Sequence, residues 1–267
     1  MHNEITDDQL LRYARHIILD EVGEDGQLKL LNSKVLVVGA GGLGSPLLLY
    51  LAAAGVGTLG VVDYDTVDIS NLQRQILHAT DRIGVSKVDS AVAAIHAVNP
   101  EIAVIEHKEK LTAENAEALV RGYDLVADGS DNFTTRYLVN DACHLAGVTL
   151  VAGALQRFEG QLATFKSHLR GDNPCYRCLF PSPPPPGMQA SCETAGIFGS
   201  IAGVIGTAQA TEVLKELLGL GESLSGQLLL YDALNTTYRK IKVPPDPACP
   251  LCGSQPTITS LREIETA

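Results

Sequence analysis

Residues 34–65, KVLVVGAGGLGSPLLLYLAAAGVGTLGVVDYD, decide the fold of this chain. Residues 35–38 form a short apolar run with three β-branched side chains, which is typical of a strand covered on both faces. A glycine-rich turn and an apolar helix follow, and Thr58–Val62 is a second apolar strand that ends at Asp63. The order strand, turn, helix, strand predicts the first βαβ unit of a parallel sheet.

The turn in this unit, GAGGLG at residues 39–44, fits the pattern G-x-G-x-x-G. Gly39 permits the tight turn, Gly41 lets the backbone approach a phosphate, and Gly44 lets the helix pack against the strand. The free N–H groups and positive dipole end of the helix favour an anion, and Asp63 stands where a ribose hydroxyl would be held. The motif predicts a nucleotide site without settling which nucleotide binds.

Composition and charge limit the classes of partner. The net charge of −11 argues against nucleic acid or an anionic membrane as the main partner. The longest weakly polar stretch, residues 197–210, is shorter than the ~18–20 residues of a membrane span. The charged N-terminus lacks the apolar segment of a secretory signal. Because four of the six cysteines form two C-x-x-C pairs, we expect metal binding in a reducing compartment, in a soluble cytoplasmic protein.

Strand and helix patterns continue to alternate as far as residue 152. Further strands are predicted at residues 102–105, 124–127 and 149–152, with helices between them. This alternation predicts an α/β fold with a doubly wound, mostly parallel, Rossmann-like sheet. Later strands, at residues 160–165, 227–232 and 237–243, indicate an antiparallel extension. We expect one domain over residues 1–267, with a nucleotide-binding part (1–152) and an extension (153–267) that carries both cysteine pairs.

A long polar loop, residues 64–84, follows the strand that ends at Asp63. Loops of this length in compact domains are usually functional or disordered, and this one lies at the carboxyl edge of the predicted sheet, where ligands bind. It brings together Asn71, Gln73, Arg74 and Gln75. Lys87 then stands at the start of the next helix, an unfavourable place for a cation, which suggests that an anion shares the site. A simply exposed lysine is the alternative.

Acidic and amide side chains also follow the fourth predicted strand, at residues 128–132 (DGSDN). Asp131 is placed to face the crevice, although either Asp131 or Asn132 would also serve as the cap of the next helix. Carboxylates hold Mg²⁺, and Arg and Lys neutralise charge at a phosphoryl centre. The combined set suits Mg²⁺-triphosphate better than a dinucleotide; it comprises Asp63, Asn71, Arg74, Lys87, Asp131 and, from a helix predicted over residues 6–19, Arg15. An ordinary solvated face is the other interpretation of the basic side of that first helix.

The two C-x-x-C pairs, Cys175 with Cys178 and Cys249 with Cys252, match a tetrahedral Cys₄ zinc site. The long gap between them adds only roughly 1–1.5 kcal/mol of loop closure, against ~10 kcal/mol or more for structural zinc binding. Two redox pairs are the alternative. A closed Cys₄ site would join the tail to the body rather than catalyse. Cys143 reads as a buried apolar residue, and Cys192, in SCETAG, is either a reactive thiol or an inert loop cysteine.

Motifs over nearly the whole chain resemble the ubiquitin-activating-enzyme-like adenylyltransferases of bacteria. They include LLRYARHIIL, the stretch from VLVVGAGGLG to NLQRQ, ADGSDN, CYRC, SCETAG and CPLC. Within that family the sequence resembles first the branch that serves molybdopterin synthesis and next the branch of the thiamine pathway. The combination is highly specific, whereas the glycine turn alone would not be.

The resemblance implies an enzyme that binds MgATP and a ubiquitin-like sulfur-carrier protein ending in Gly-Gly. The carrier's terminal carboxylate would attack the α-phosphorus of ATP and release pyrophosphate. No general base is needed, since that carboxylate is ionised at neutral pH. The resemblance further implies Zn²⁺ on the four cysteines, a homodimer and a sulfurtransferase as a further partner.

The resemblance also assigns roles to individual residues. Asp131 with Asn132 would sit at Mg²⁺, Arg15 would be donated across a two-fold dimer, and Cys192 would take part in thioester or persulfide chemistry. Nucleotide contacts are implied for Gly42, Asp63, Asp65, Ser70, Asn71, Leu72, Gln73, Arg74 and Lys87.

The chain differs from some family members in two segments, and its motifs also allow two other functions. The sequence ends soon after Cys252, so we expect no rhodanese domain of the kind fused to some family members, and the proline run at residues 183–186 lies where it would cover the carrier's tail. The glycine motif and Asp63 alone would also fit an NAD(P)-dependent oxidoreductase. The third reading is a non-catalytic scaffold, against which the set Arg15, Arg74, Lys87 and Asp131 argues.

Overall fold

The computed structural model describes residues 3–183 and 196–261. One eight-stranded sheet runs through this part of the chain, in the order β3-β2-β1-β4-β5-β6-β7-β8. The strands are β1 (Lys34–Val38), β2 (Thr58–Val62), β3 (Ala103–His107), β4 (Leu125–Asp128), β5 (Thr149–Gln156), β6 (Glu159–Phe165), β7 (Gln227–Asp232) and β8 (Thr237–Lys242).

The first five strands are parallel and the last three are added antiparallel. Strand β1 is flanked by β2 and β4, with Val37 in register with Val61 on one side and with Ala127 on the other. Strand β6 pairs antiparallel with β5, β7 pairs antiparallel with β6, and β8 pairs antiparallel with β7. This arrangement confirms the predicted mostly parallel sheet with an antiparallel extension. The division into one domain of two parts stays a prediction.

Helices cover both faces of the sheet. The described helices are α1 (Asp7–Arg12), α2 (Ala14–Ile17), α3 (Gly23–Leu31), α4 (Gly44–Ala53), α5 (Lys87–Val98), α6 (Ala116–Val120), α7 (Phe133–Ala146), α8 (Tyr176–Leu179) and α9 (Ser200–Leu218). Residues of α3, α4, α5 and α9 share one apolar core with one face of the sheet, and those of α6, α7 and α8 share a second core with the other. No helix in the described ranges is long and apolar enough to cross a membrane.

The chain order creates a crevice at one edge of the sheet. From β1 the chain adds β2 and β3 on one side and then crosses to place β4 on the other side of β1. Connections therefore leave the carboxyl ends of β1 and β4 in opposite directions, and such a switch point is where ligands bind in open α/β sheets.

The first helix differs from the prediction of one helix over residues 6–19. Two short helices, α1 and α2, meet at Tyr13, whose backbone leaves the helical region at φ −101° and ψ 12°. The Tyr13 ring is buried, and its hydroxyl accepts a hydrogen bond from Asn99 Nδ2 at 2.8 Å. The apolar spacing indicated helical structure correctly, but the single helix is interrupted at a residue that makes a long-range side-chain contact.

Candidate nucleotide and metal sites

The glycine turn joins β1 to α4 as the motif requires. Gly39 has φ +92°, a conformation that favours glycine, and its N–H donates to the carbonyl oxygen of Val62 at 2.8 Å. A Cβ atom on Gly44 would overlap the carbonyl oxygen of Gly39. Backbone conformation thus requires glycine at position 39, and the close approach of the helix to the turn requires glycine at position 44.

The N-terminus of α4 faces the crevice. Gly41 and Gly42 line it, as does Leu43. Within residues 3–183 and 196–261, no oxygen accepts a hydrogen bond from the N–H groups of these three residues. Unsatisfied N–H groups at the start of a helix bind anions, so this end of the crevice suits phosphate.

Asp63 fixes the same turn. One oxygen of its carboxylate accepts from the N–H of Ala40 at 2.8 Å and the other from the N–H of Asp65 at 2.9 Å. Burial raises the pKa of this carboxyl, while Lys87 and the two backbone donors lower it. Asp63 lines the crevice beside the glycine turn, where the predicted ribose contact would be made.

Lys87 at the start of α5 is buried, so the alternative of an exposed lysine is wrong. Its side chain is 9% exposed, and Nζ lies 2.8 Å from a carboxylate oxygen of Asp65, which is half exposed. The anion suggested by the helix position is thus present within the protein itself. Both side chains line the crevice, so the pair presents a cation and an acid to a ligand.

Arg74 lines the crevice from the polar loop. Its guanidinium donates to the carbonyl oxygen of Ser70 at 3.0 Å, and its Cγ lies 3.6 Å from the position of a Cβ on Gly42. Ser70 and Asn71 belong to a 3₁₀ turn that Asp68 caps by accepting from the Ser70 N–H at 2.8 Å. Four residues predicted to contact the nucleotide do not line the crevice in this structure, and their contact with it stays a prediction: Ser70, Asn71, Leu72 and Gln73.

Asp131 and Asn132 both line the crevice, and Asn132 is also the cap of the next helix. Asn132 caps α7, because its side-chain oxygen accepts from the Thr135 N–H at 2.9 Å. Asp131 is exposed and lines the crevice. Asp63, Asp65 and Asp131 all line the crevice, and their charges raise the pKa of Tyr64.

The crevice contains residues that the sequence did not single out. Its cavity volume is about 110 Å³, and it is open to solvent. Arg136, one turn into α7, donates to the Ser130 carbonyl oxygen at 2.9 Å. Gln75 is 4% exposed, and its Oε1 has no hydrogen-bond partner among the described residues. The additional charged residues of the lining are Glu109, Lys110 and Arg136.

A simple signal would have found Glu109 and Lys110. They follow β3, whose carboxyl end lies at the same edge as those of β1 and β2.

Arg15 is exposed on α2 and does not line the crevice of its own chain.

The four predicted metal ligands come together in space. The sulfur of Cys175 lies 3.9 Å from that of Cys178, 3.5 Å from that of Cys249 and 3.4 Å from that of Cys252, and the Cys178 and Cys252 sulfurs are 3.3 Å apart. Zn–S bonds of ~2.3 Å in a tetrahedron require sulfurs about 3.8 Å apart. The separations are close to that value and exceed by far the ~2.05 Å of a disulfide.

The surroundings of the four sulfurs also suit a metal. Cys175 and Cys249 are buried, and Cys178 and Cys252 are partly buried. The N–H of Asp246 donates to the Cys178 sulfur at 3.3 Å. These four are the sole group of three or more metal-type ligands within the described part of the chain, and they are able to hold a metal ion.

Helix α7 connects the crevice to the cysteine cluster. The guanidinium of Arg177, which lies between Cys175 and Cys178 in sequence, donates to both oxygens of Asp141 on α7, at 2.8 and 2.6 Å. Asn140 accepts from the Tyr176 N–H at 2.8 Å. Since α7 begins next to Asp131, one helix positions both sites. Cys192 and residues 184–186 of the proline run lie outside the described residues.

Comparisons with known proteins agree with this geometry. The model of the ThiF family matches residues 13–251. A relative from Thermus thermophilus named sulfur carrier protein adenylyltransferase is 52% identical over 97% of each chain. The pig protein named adenylyltransferase and sulfurtransferase MOCS3 is 50% identical over 98% of this chain, which spans 57% of its length. The crystal structure of Escherichia coli MccB with MccA-N7isoASN has the same fold, with a TM-score of 0.80 at 21% identity, over 91% of this chain and 75% of that one.

Proposed function

We propose, from the premise that this chain belongs to the ThiF family, that it uses ATP to adenylate the C-terminal carboxylate of a ubiquitin-like sulfur-carrier protein ending in Gly-Gly. The close relative named sulfur carrier protein adenylyltransferase supports the reaction class. The single observation that carries the proposal is the composition of the crevice. Free N–H groups of a helix, four cations and four carboxylates line one space, which suits a triphosphate and its metal.

The reaction needs charge stabilisation more than proton transfer. A carrier carboxylate oxygen bonds to the α-phosphorus, the bond from that phosphorus to the bridging oxygen breaks, and pyrophosphate leaves with the electron pair. Arg74 and Lys87 would neutralise the negative charge of the phosphates. The N–H groups of Gly41 and Gly42 would hold phosphate oxygens, and Asp63 a ribose hydroxyl. Contacts from Asp65, Ser70, Asn71, Leu72 and Gln73 belong to the same proposal.

Asp131, with Asn132 beside it, would hold Mg²⁺. Asp63, Asp65 and Asp131 do not form a three-ligand metal cluster in the described chain. This fits Mg²⁺, which is usually bound by one or two carboxylates together with phosphates and water. When bound, Mg²⁺ would neutralise phosphate charge. Zn²⁺ is proposed for the four cysteines, where a closed Cys₄ set would stabilise the fold rather than react.

Arg15 enters the proposal through a homodimer. It is exposed on α2 and does not line its own crevice, so its predicted role requires a second copy of the chain. The pathway proposed first is molybdopterin synthesis, with the thiamine pathway as the alternative. The named sulfurtransferase activity of the pig relative supports a sulfurtransferase as a further partner. A cytoplasmic location and a reactive role for Cys192 stay predictions.

ATP–pyrophosphate exchange tests this proposal. Exchange should require a carrier with a free Gly-Gly carboxylate and should be absent with the same carrier lacking its last glycine. Exchange without any carrier would contradict the proposal. So would binding of NADH in a fluorescence titration with no binding of ATP, which would favour the oxidoreductase alternative.

A further inference from the structure

His78 is a buried histidine that no part of the proposed reaction uses. It is 7% exposed and lies in the polar loop between β2 and α5. Its Nε2 lies 2.9 Å from the carbonyl oxygen of Ala40, the second residue of the glycine turn. A carbonyl oxygen only accepts hydrogen bonds, so Nε2 carries the proton and donates it.

The other ring nitrogen fixes this tautomer. Nδ1 of His78 lies 2.8 Å from the hydroxyl of Ser90 on α5, which donates to it. Arg82 orients Ser90 in turn, since its guanidinium donates to the Ser90 carbonyl at 2.6 Å and to its hydroxyl at 3.2 Å. Burial lowers the pKa of His78, as do the nearby charges of Lys87 and Arg82, so the neutral ring that this geometry requires is favoured.

The bond from His78 sets the direction of one peptide group. In a trans peptide the carbonyl of Ala40 and the N–H of Gly41 point in opposite directions. Gly41 lines the crevice and His78 does not, so holding the carbonyl on the His78 side turns the N–H toward the crevice. The backbone groups before and after this peptide have partners within the protein: the Ala40 N–H donates to Asp63, and the Gly41 carbonyl accepts from the Ser45 hydroxyl at 2.7 Å. Within the described residues, the Gly41 N–H between them is free for a ligand.

We infer that His78 is a positioning residue that holds the Ala40–Gly41 peptide with its N–H directed at the phosphates of the bound nucleotide, an inference that rests on the proposed function. Without the His78 donor, the buried Ala40 carbonyl loses its partner and the peptide is free to turn over. Its oxygen would then face the phosphates, where two acceptors repel. Loss of the His78 hydrogen bond should therefore weaken the binding of ligands that carry phosphates and leave the binding of other ligands unchanged.

The test compares ATP with adenosine, which has the same base and ribose but no phosphate. His78→Leu should weaken ATP binding by about tenfold or more, as expected for a hydrogen bond to a charged group, and change adenosine binding by less than about twofold. His78→Gln offers an N–H near the position of Nε2 and should retain ATP binding within about threefold. His96→Leu, the same change at an exposed histidine of α5, is the matched control and should bind both ligands normally.

Two outcomes overturn the inference alone: His78→Leu binds ATP as the unchanged chain does, or it loses ATP and adenosine equally. If His78→Leu does not fold, Ser90→Ala decides, because it frees the tautomer while leaving the ring in place. It should weaken ATP binding by about threefold and spare adenosine, and equal effects on both ligands would overturn the role of His78. An unchanged chain that binds no ATP would instead overturn the proposed function, and the inference with it.

Discussion

Breaking the buried ion pair between Asp141 on α7 and Arg177, which lies between Cys175 and Cys178, should strongly destabilise the chain. Arg177 donates to both oxygens of Asp141, whose side chain is fully buried, while that of Arg177 is 10% exposed. Arg177→Met keeps the apolar stem and removes the charge, so it leaves a buried carboxylate without its cation. Loss of one partner of such a pair costs about 3–5 kcal/mol. With a urea m-value of about 3 kcal/mol/M, the unfolding midpoint should fall by about 1–1.7 M.

The pH dependence of this loss identifies its cause. Burial raises the pKa of Asp141, and removing Arg177 removes the main group that opposes this rise. The folded variant then binds a proton more tightly than its unfolded chain does, so its stability falls as pH rises through the raised pKa. The difference between variant and unchanged chain should therefore be larger at pH 8 than at pH 5.

Urea unfolding followed by circular dichroism, with zinc present throughout, measures both effects. Arg121→Met is the matched control, because Arg121 forms an exposed i,i+4 pair with Glu117 and its loss should cost less than about 1 kcal/mol. Equal costs for the two variants would refute the reasoning. A loss at Arg177 that does not change between pH 5 and pH 8 would refute the assignment to an unpaired Asp141.

Three further predictions concern the crevice and the metal. Arg74→Ala and Asp131→Ala should each abolish carrier-dependent ATP–pyrophosphate exchange while circular dichroism shows a folded chain; normal exchange by either would remove that residue from the site. Metal analysis of purified protein should find about one zinc ion per chain, and Cys249→Ser should reduce it, whereas intact protein without zinc would contradict the Cys₄ site. Gly44→Ala should lower the thermal midpoint, because its Cβ would overlap the Gly39 carbonyl, and an unchanged midpoint would show that the turn can move.

The elements that sequence patterns predicted are those defined by local signals. The apolar runs of β1 and β2 and the glycine turn between them are local, and parallel strands bring their carboxyl ends to one edge. Asp63 and Asp131 therefore line one crevice, as their positions after β2 and β4 indicated, and Lys87 lines it from the start of α5. The four cysteines also met as predicted, because metal-ligand spacing is a strong signal even across a long gap.

The features that the sequence did not predict depend on contacts between distant segments. The helix break lies at Tyr13, whose hydroxyl accepts a hydrogen bond from Asn99, 86 positions later in the sequence. Lys87 pairs with Asp65, which lies 22 positions earlier in the sequence. Asp141 is a buried acid on α7, and its cationic partner, Arg177, lies 36 positions later in the sequence.

Mass spectrometry of the carrier protein decides whether its terminal carboxylate is adenylated. A Gly-Gly-terminated sulfur carrier is incubated with MgATP and this protein, and its intact mass and C-terminal peptide are measured. The account predicts a gain of one adenylyl group on the terminal carboxylate, lost when the last glycine is removed. A carrier of unchanged mass under conditions where the protein binds ATP would contradict it, as would an adenylyl group attached to a side chain.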